Sequence, residues 1–186
     1  MTKILLIDMD EVLVDFVGGV CRLYGTTEEK MNLKRAPGTW SIVEALGETK
    51  ESFWDPIDRA GSYFWEALED TPWCDSIVNL VSEFYGDNWF ICSAPSYCDT
   101  SYTGKVRWLK QKFGRSFDRF LLSPHKSLFA KPGVVLLDDR QENINQFKFH
   151  GGLGILYPSY GNDLWPKRYD PIPYVTASLE ILRGLS

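Results

Sequence analysis

Lys3-Ile4-Leu5-Leu6-Ile7-Asp8-Met9-Asp10 is the stretch on which the fold turns. An apolar run of this length that ends abruptly in acid reads as a short strand buried on both faces, because side chains alternate across a sheet and neither face here offers water a polar group. The same pattern recurs outward from it. Residues 88–92, 119–122, 134–137 and 153–157 read as further short strands. Between them, 16–24, 75–85, 103–113, 143–149 and 177–185 read as helices; in 75–85, Ile77, Leu80, Val81 and Phe84 share one face. Strands alternating with helices predict an α/β fold with a parallel sheet covered on both sides. Ligands of such sheets sit beyond the carboxyl ends of the strands. Asp8, Asp10, Ser93, Ser123, Asp138 and Asp139 all fall at those ends.

The 186 residues suffice for one core domain, with room for a small insertion. Apolar residues are 44 % and charged residues 24 %, the balance of an ordinary globular protein. A net charge of −5 argues against a polymeric nucleic-acid partner, which needs clustered positive charge, but leaves room for a small nucleotide. Four cysteines without a Cys-x-x-Cys pair, and only two histidines, argue against zinc. No signal peptide precedes the first strand and no apolar run is long enough to span a membrane, so a cytoplasmic, reducing setting is expected, with the protein a monomer or homodimer.

Residues 17–71 differ in texture. They mix charge, glycine and aromatics, with helical patches at 41–46 and 55–68, and read as an insertion. Trp40, Phe53, Trp54, Tyr63, Phe64, Trp65 and Trp73 fall in or beside it. Aromatics in this number either pack a core or line a slot for a flat ligand, and composition favours the core. The stretch 157–173, rich in proline, reads as a long surface connection.

The carboxylates are more specific. Asp8 and Asp10 leave a strand two residues apart, so both can enter one cleft. Asp138-Asp139 ends the apolar run 134–137 in the same way. One such pair is as readily explained by helix capping. Two pairs at one sheet edge make an oxygen-rich site suited to a hard cation, Mg²⁺ above all.

Four stretches now fall in order. Asp8-Met9-Asp10-Glu11-Val12-Leu13 resembles the first motif of the haloacid dehalogenase-like phosphatases. Phe90-Ile91-Cys92-Ser93-Ala94-Pro95 resembles the second, His125-Lys126-Ser127 offers the third-motif lysine, and Leu136-Leu137-Asp138-Asp139-Arg140 resembles the fourth. Asp15-Phe16, the Ser-Ala-Pro turn and Tyr102, Lys105 and Trp108 bring the resemblance closer to the 5′(3′)-deoxyribonucleotidases. The resemblance implies a three-layer Rossmann-like core, residues 1–16 and 72–186, and a small helical cap, 17–71, inserted after the first strand.

It also implies a reaction. Asp8 is the nucleophile, Asp10 the general acid and base, Ser93 a phosphate-binding hydroxyl and Lys126 the charge-balancing lysine; Lys131, followed by Pro132, is the alternative. Mg²⁺ is held by Asp8, the Asp10 carbonyl and an acid of the fourth motif, Asp138 or Asp139. Phe16, Phe53, Trp54, Phe64 and Trp65 form a slot for base and deoxyribose, and Ala94, Lys105 and Arg140 complete the substrate contacts. The partner is then a small phosphomonoester, a deoxyribonucleotide. Three positions depart from the group: Glu11 stands where glycine is frequent, Ala94 where a second hydroxyl is frequent, and Asp70-Thr71-Pro72-Trp73 where Pro-Gly is usual. The interval from Lys126 to Asp138 is also about two residues long for the group. Two alternatives stay open: a phosphatase for a sugar phosphate or a nucleic-acid 3′ phosphate, and a non-catalytic metal- or nucleotide-binding relative.

Overall fold

A computed structural model describes residues 4–184. Five strands, β1 (Ile4–Ile7), β2 (Trp89–Ser93), β3 (Phe120–Leu122), β4 (Val134–Asp138) and β5 (Leu153–Leu156), form one sheet in the order β3-β2-β1-β4-β5. Every pairing is parallel; Leu5 lies beside both Trp89 and Val135. β1 is therefore the central strand, which explains its unbroken apolar character. Lys3, expected in the first strand, and Leu185, expected in the last helix, lie outside the described residues.

Alternation divides the core into two layers. Leu5, Ile7, Ile91, Val135 and Leu137 face one side, with Ile77 and Val81 of α6 (Cys74–Tyr85) and Val175 and Leu179 of α9 (Ile172–Gly184). Leu6, Cys92, Val134 and Leu136 face the other, with Ile144 and Phe147 of α8 (Gln141–Phe149). α7 (Asp99–Phe113) adds Trp108 and Leu109 to the first layer. The α/β architecture with a parallel sheet between helical layers is as the sequence predicts. Four of these helices start earlier than the sequence suggests. α9 begins at Ile172, with Pro173 in its first turn, where a missing N–H costs nothing.

Between β1 and α6 run α1 (Phe16–Leu23), α2 (Glu28–Asn32), α3 (Ile42–Leu46), α4 (Lys50–Ala60) and α5 (Ser62–Glu66). The patch expected at 55–68 is two helices, because Gly61 adopts φ 62°, which breaks the ladder. Pro56 sits inside α4 and cannot donate to the Ser52 carbonyl; the Tyr24 hydroxyl donates there instead, and to Phe53 O at 3.0 Å. The chain leaves and re-enters the core side by side. Val14 bridges Asp70 antiparallel, Asp15 N donates to Glu69 O, and Thr71 N donates to Leu13 O.

The stretch 157–173 is not wholly a surface connection. Ser159 and Asn162 are buried, and a 3₁₀ turn spans Trp165–Tyr169. Asn162 Nδ2 donates to the carbonyls of Asp139 and Tyr157, both at 2.7 Å. Main-chain carbonyls at a buried sheet edge need donors, and an asparagine from the following loop supplies them.

Candidate active site

Three strand ends build the site. β1 and β4 are in register, Ile7 beside Leu137, so Asp8 and Asp138 emerge together. β2 lies on the other side of β1, Ile7 beside Ile91, and brings Ser93. The loop after β1 is fixed by Leu13 N and Val14 N on Met9 O and by Glu11 N on Val14 O. Glu11 takes φ 60° in this turn, the left-handed conformation that glycine adopts without strain. Its carboxylate recovers stability by accepting from Val17 N at 2.8 Å, at the start of α1, where Asp15 also caps Gly18 N.

Lys126 is the hub. Its Nζ lies 2.6 Å from Asp8 Oδ1 and 2.6 Å from Asp138 Oδ2, with all three side chains buried. It opens a 3₁₀ turn, Lys126–Phe129, directly after β3; Lys131 is exposed beyond it. Two buried carboxylates raise the ammonium's pKa against the opposing effect of burial. Asp138 is held from its other side by Asn143 Nδ2, at 3.0 and 2.9 Å, and by the Arg140 amide at 2.8 Å.

Asp8 Oδ1 also accepts from Met9 N at 2.7 Å, while Oδ2 takes no hydrogen bond from the described residues. Burial, then the charge of Asp138, pushes the Asp8 carboxyl up to about 7; Lys126 opposes this. Asp139 is buried and raised well above the usual carboxylate range by burial and by the neighbouring Asp138 and Asp8. Its Oδ2 has no hydrogen-bond partner among the described residues. Ligand oxygens of Asp8, Asp138 and Asp139 lie within 4.8 Å of one another. The Asp10 carbonyl is likewise without a partner among the described residues. An orphaned buried carboxylate oxygen beside two more is the donor set of a hard divalent cation.

Asp10 belongs to a second cation. Lys105, from α7, places Nζ 2.5 Å from Asp10 Oδ1 and 3.1 Å from Ser93 Oγ, over the Trp65 ring with its centroid at 4.7 Å. Ala94 and Pro95 follow Ser93 in a partly exposed turn. Arg140 is not brought in: its side chain is exposed and reaches Glu142 at 3.6 Å.

The aromatics of the inserted segment surround Phe16. Trp65 stacks on it at 5.6 Å, Phe64 meets it edge-on at 6.0 Å and Trp54 lies tilted at 6.3 Å. Phe53 contacts Trp54 edge-on at 5.0 Å. Phe16, Phe53, Phe64 and Trp65 are buried, and Trp54 is partly exposed. Sequence reasoning missed Asn143, Ser159 and Asn162. Asn143 carried a signal, one helical turn after the Asp138-Asp139 pair; the other two lie in a stretch whose prolines pointed to a surface connection.

Residues 2–164 match the sequence model of the family described as 5′ nucleotidase, deoxy (pyrimidine), cytosolic type C protein. The chain belongs to this family. Among curated relatives, this nucleotidase-family chain is 28 % identical over 151 residues to the mitochondrial 5′(3′)-deoxyribonucleotidase of Mus musculus, which aligns with 74 % of the chain. It is 27 % identical over 151 residues to the mitochondrial enzyme of Homo sapiens. The match spans 64 % and 62 % of those relatives' lengths. A haloacid dehalogenase-like family hydrolase from Streptococcus pneumoniae shares its fold with TM-score 0.53 at 14 % identity, covering 91 % of each chain. A hydrolase from Pseudomonas syringae does so with TM-score 0.53 at 13 % identity, covering 96 % of this chain and 98 % of that one. Among the described residues no helix is long and apolar enough to cross a membrane.

Proposed function

We propose that this member of the 5′-nucleotidase family hydrolyses deoxyribonucleoside monophosphates through an aspartyl-phosphate on Asp8. The observation that carries the reading is the division of labour between Asp8 and Asp10: two carboxylates two residues apart, one on Lys126 and the other on Lys105. Environments that separate two like groups in this way assign them different tasks.

Asp8 Oδ2, the oxygen without a partner, attacks phosphorus in line. The ester P–O bond breaks, its electron pair leaves with the sugar oxygen, and Asp10 supplies the proton. Asp10 then takes a proton from the water that attacks the aspartyl-phosphate, and the bond from phosphorus to Asp8 breaks. Ser93 Oγ donates to a phosphoryl oxygen, and Lys126 offsets charge between nucleophile and phosphate. Mg²⁺ fits among Asp8, Asp138, Asp139 and the Asp10 carbonyl, where it supplies charge neutralisation and orients the phosphoryl group.

Residues 17–71 serve as the cap, joined to the core where the chain leaves and re-enters it, at the isolated bridge between Val14 and Asp70. Trp54, the partly exposed aromatic beside Phe16, is the base contact. A second reading has one observation in its favour: the aromatic rings are largely satisfied by one another, as in a packed core, which suits a smaller phosphoester such as a sugar phosphate.

The test is phosphate release from dUMP, dTMP, UMP and a sugar phosphate, with Mg²⁺ or with EDTA, for the wild type and Asp8→Asn. Mg²⁺-dependent release that favours the deoxynucleotides and vanishes in Asp8→Asn supports the reading. Release from the sugar phosphate alone keeps the reaction and discards the base contact. Undiminished release by Asp8→Asn sinks the covalent mechanism.

A further inference from the structure

Lys105 has no step in the chemistry just described, yet its side chain is 0 % exposed. A lysine withdrawn wholly from water persists only where its partners replace the lost hydration. Those partners are Asp10 Oδ1, Ser93 Oγ and the face of Trp65. None is the nucleophile: Asp8 and Asp138 are served by Lys126.

The consequence for Asp10 is geometric. Its side chain is 25 % exposed and sits on a loop, where an untethered carboxylate samples several rotamers. Lys105 fixes Oδ1 and leaves Oδ2, which takes no hydrogen bond from the described residues, for the reacting oxygen. Proton transfer requires that oxygen within hydrogen-bond reach of the ester, so a wandering carboxylate loses most of its effect. Trp65 lies on α5, in the inserted segment, and its ring forms one wall of the lysine's enclosure. α5 approaches α7 closely because residue 104 is glycine: a Cβ there would lie 2.4 Å from Ser62 O and 2.5 Å from Trp65 Cβ.

We propose that Lys105 is a positioning residue that holds Asp10 in its proton-transfer pose, and that Trp65 makes this pose depend on the seating of α5. The inference rests on the phosphatase reading above and adds to it a role for the inserted segment in catalysis.

A double-mutant cycle tests it, read on whichever phosphomonoester the wild type hydrolyses best. Lys105→Met is expected to lower kcat on the order of 10–10²-fold with KM within about threefold, and Asp10→Asn to lower kcat by about 10²–10⁴-fold. If Lys105 acts through Asp10, the double variant is no slower than Asp10→Asn alone, within about threefold. Lys105→Gln, which retains a donor, falls between Lys105→Met and wild type and serves if the methionine variant does not fold. Multiplying effects in the double variant overturn the proposal, since they mean that Lys105 acts on the phosphate or through Ser93. So does a raised KM at unchanged kcat, which marks a substrate contact, or no effect at all. A wild type that releases phosphate from no substrate removes the phosphatase reading, and the proposal with it.

Discussion

Burial works against charge at single residues of the site. Asp8 is pushed up to about 7, Glu11 up to about 8 by burial and neighbouring acids, and Asp139 well above its ordinary value. Each folded value lies above its unfolded value of about 4. The folded state therefore binds more protons than the unfolded chain. The associated stability is fully present below about pH 4 and is lost as pH rises through about 7 to 8. Thermal melting of the EDTA-treated protein is expected to show Tm falling across that window. Mg²⁺ favours the ionised acids, so its addition should raise Tm more at pH 8 than at pH 5.5; an equal gain at both would refute the idea that the orphaned acids form the cation site. Asp8 and Asp139 were legible in the sequence, because each belongs to an acidic pair at the end of an apolar strand. The choice between Lys126 and Lys131 was not: it depends on a 3₁₀ turn that folds one lysine under the sheet edge and leaves the other outside.

At the scale of elements, the pairing of α5 with α7 is the contact with most consequence. Alanine is about 1 kcal/mol better than glycine in a helix interior. Gly104→Ala in α7 should nonetheless destabilise the protein, since the new methyl group meets a backbone carbonyl and the Trp65 side chain, and overpacking of this kind costs about 1–3 kcal/mol. The expected result is a lower Tm together with lower kcat, because Trp65 shifts away from Lys105. A rise in Tm in denaturation measurements would show that the two helices separate freely. Strands and their order of appearance were readable from apolar runs. Helix starts were less so, since α7 begins among polar residues and α9 among prolines, and the helical state of both first turns is set by packing further along. The break at Gly61 had a visible cause in glycine, but the division between α4 and α5 depends on that residue's dihedral angle.

For the whole molecule, the loop after β5 and the end of β4 act as one piece. Asn162 joins the carbonyls of Asp139 and Tyr157, and its Nδ2 also lies 3.2 Å from Ser159 Oγ. The same loop meets the inserted segment, where Gly38 N donates to Tyr160 O and Arg35 lies over the Tyr160 ring at 4.4 Å. Groups that orient metal ligands from behind typically change affinity 10–100-fold when removed. Asn162→Ala is therefore expected to weaken Mg²⁺ binding at least about tenfold in calorimetric titration, with the fold retained by circular dichroism. Unchanged affinity would confine Asn162 to loop structure. A parallel sheet with a site at its carboxyl edge was legible in the sequence because periodicity and acids agree. The tie between residues 38 and 160 was not, for nothing local marks two turns that meet only after the chain has folded.

The central place of β1 has a kinetic consequence. Its partners arrive from far along the chain: Leu5 pairs with Trp89, and Ile4 with Val134. Sheets closed by such distant pairings form slowly, because long loops must be gathered before any contact rewards them. The acids of β1 and β4 meet only at that late closure, when their mutual repulsion adds to the barrier. Lys126 lies shortly before β4 in the sequence, so a neutralising charge travels into the site on the same segment that brings the second pair of acids.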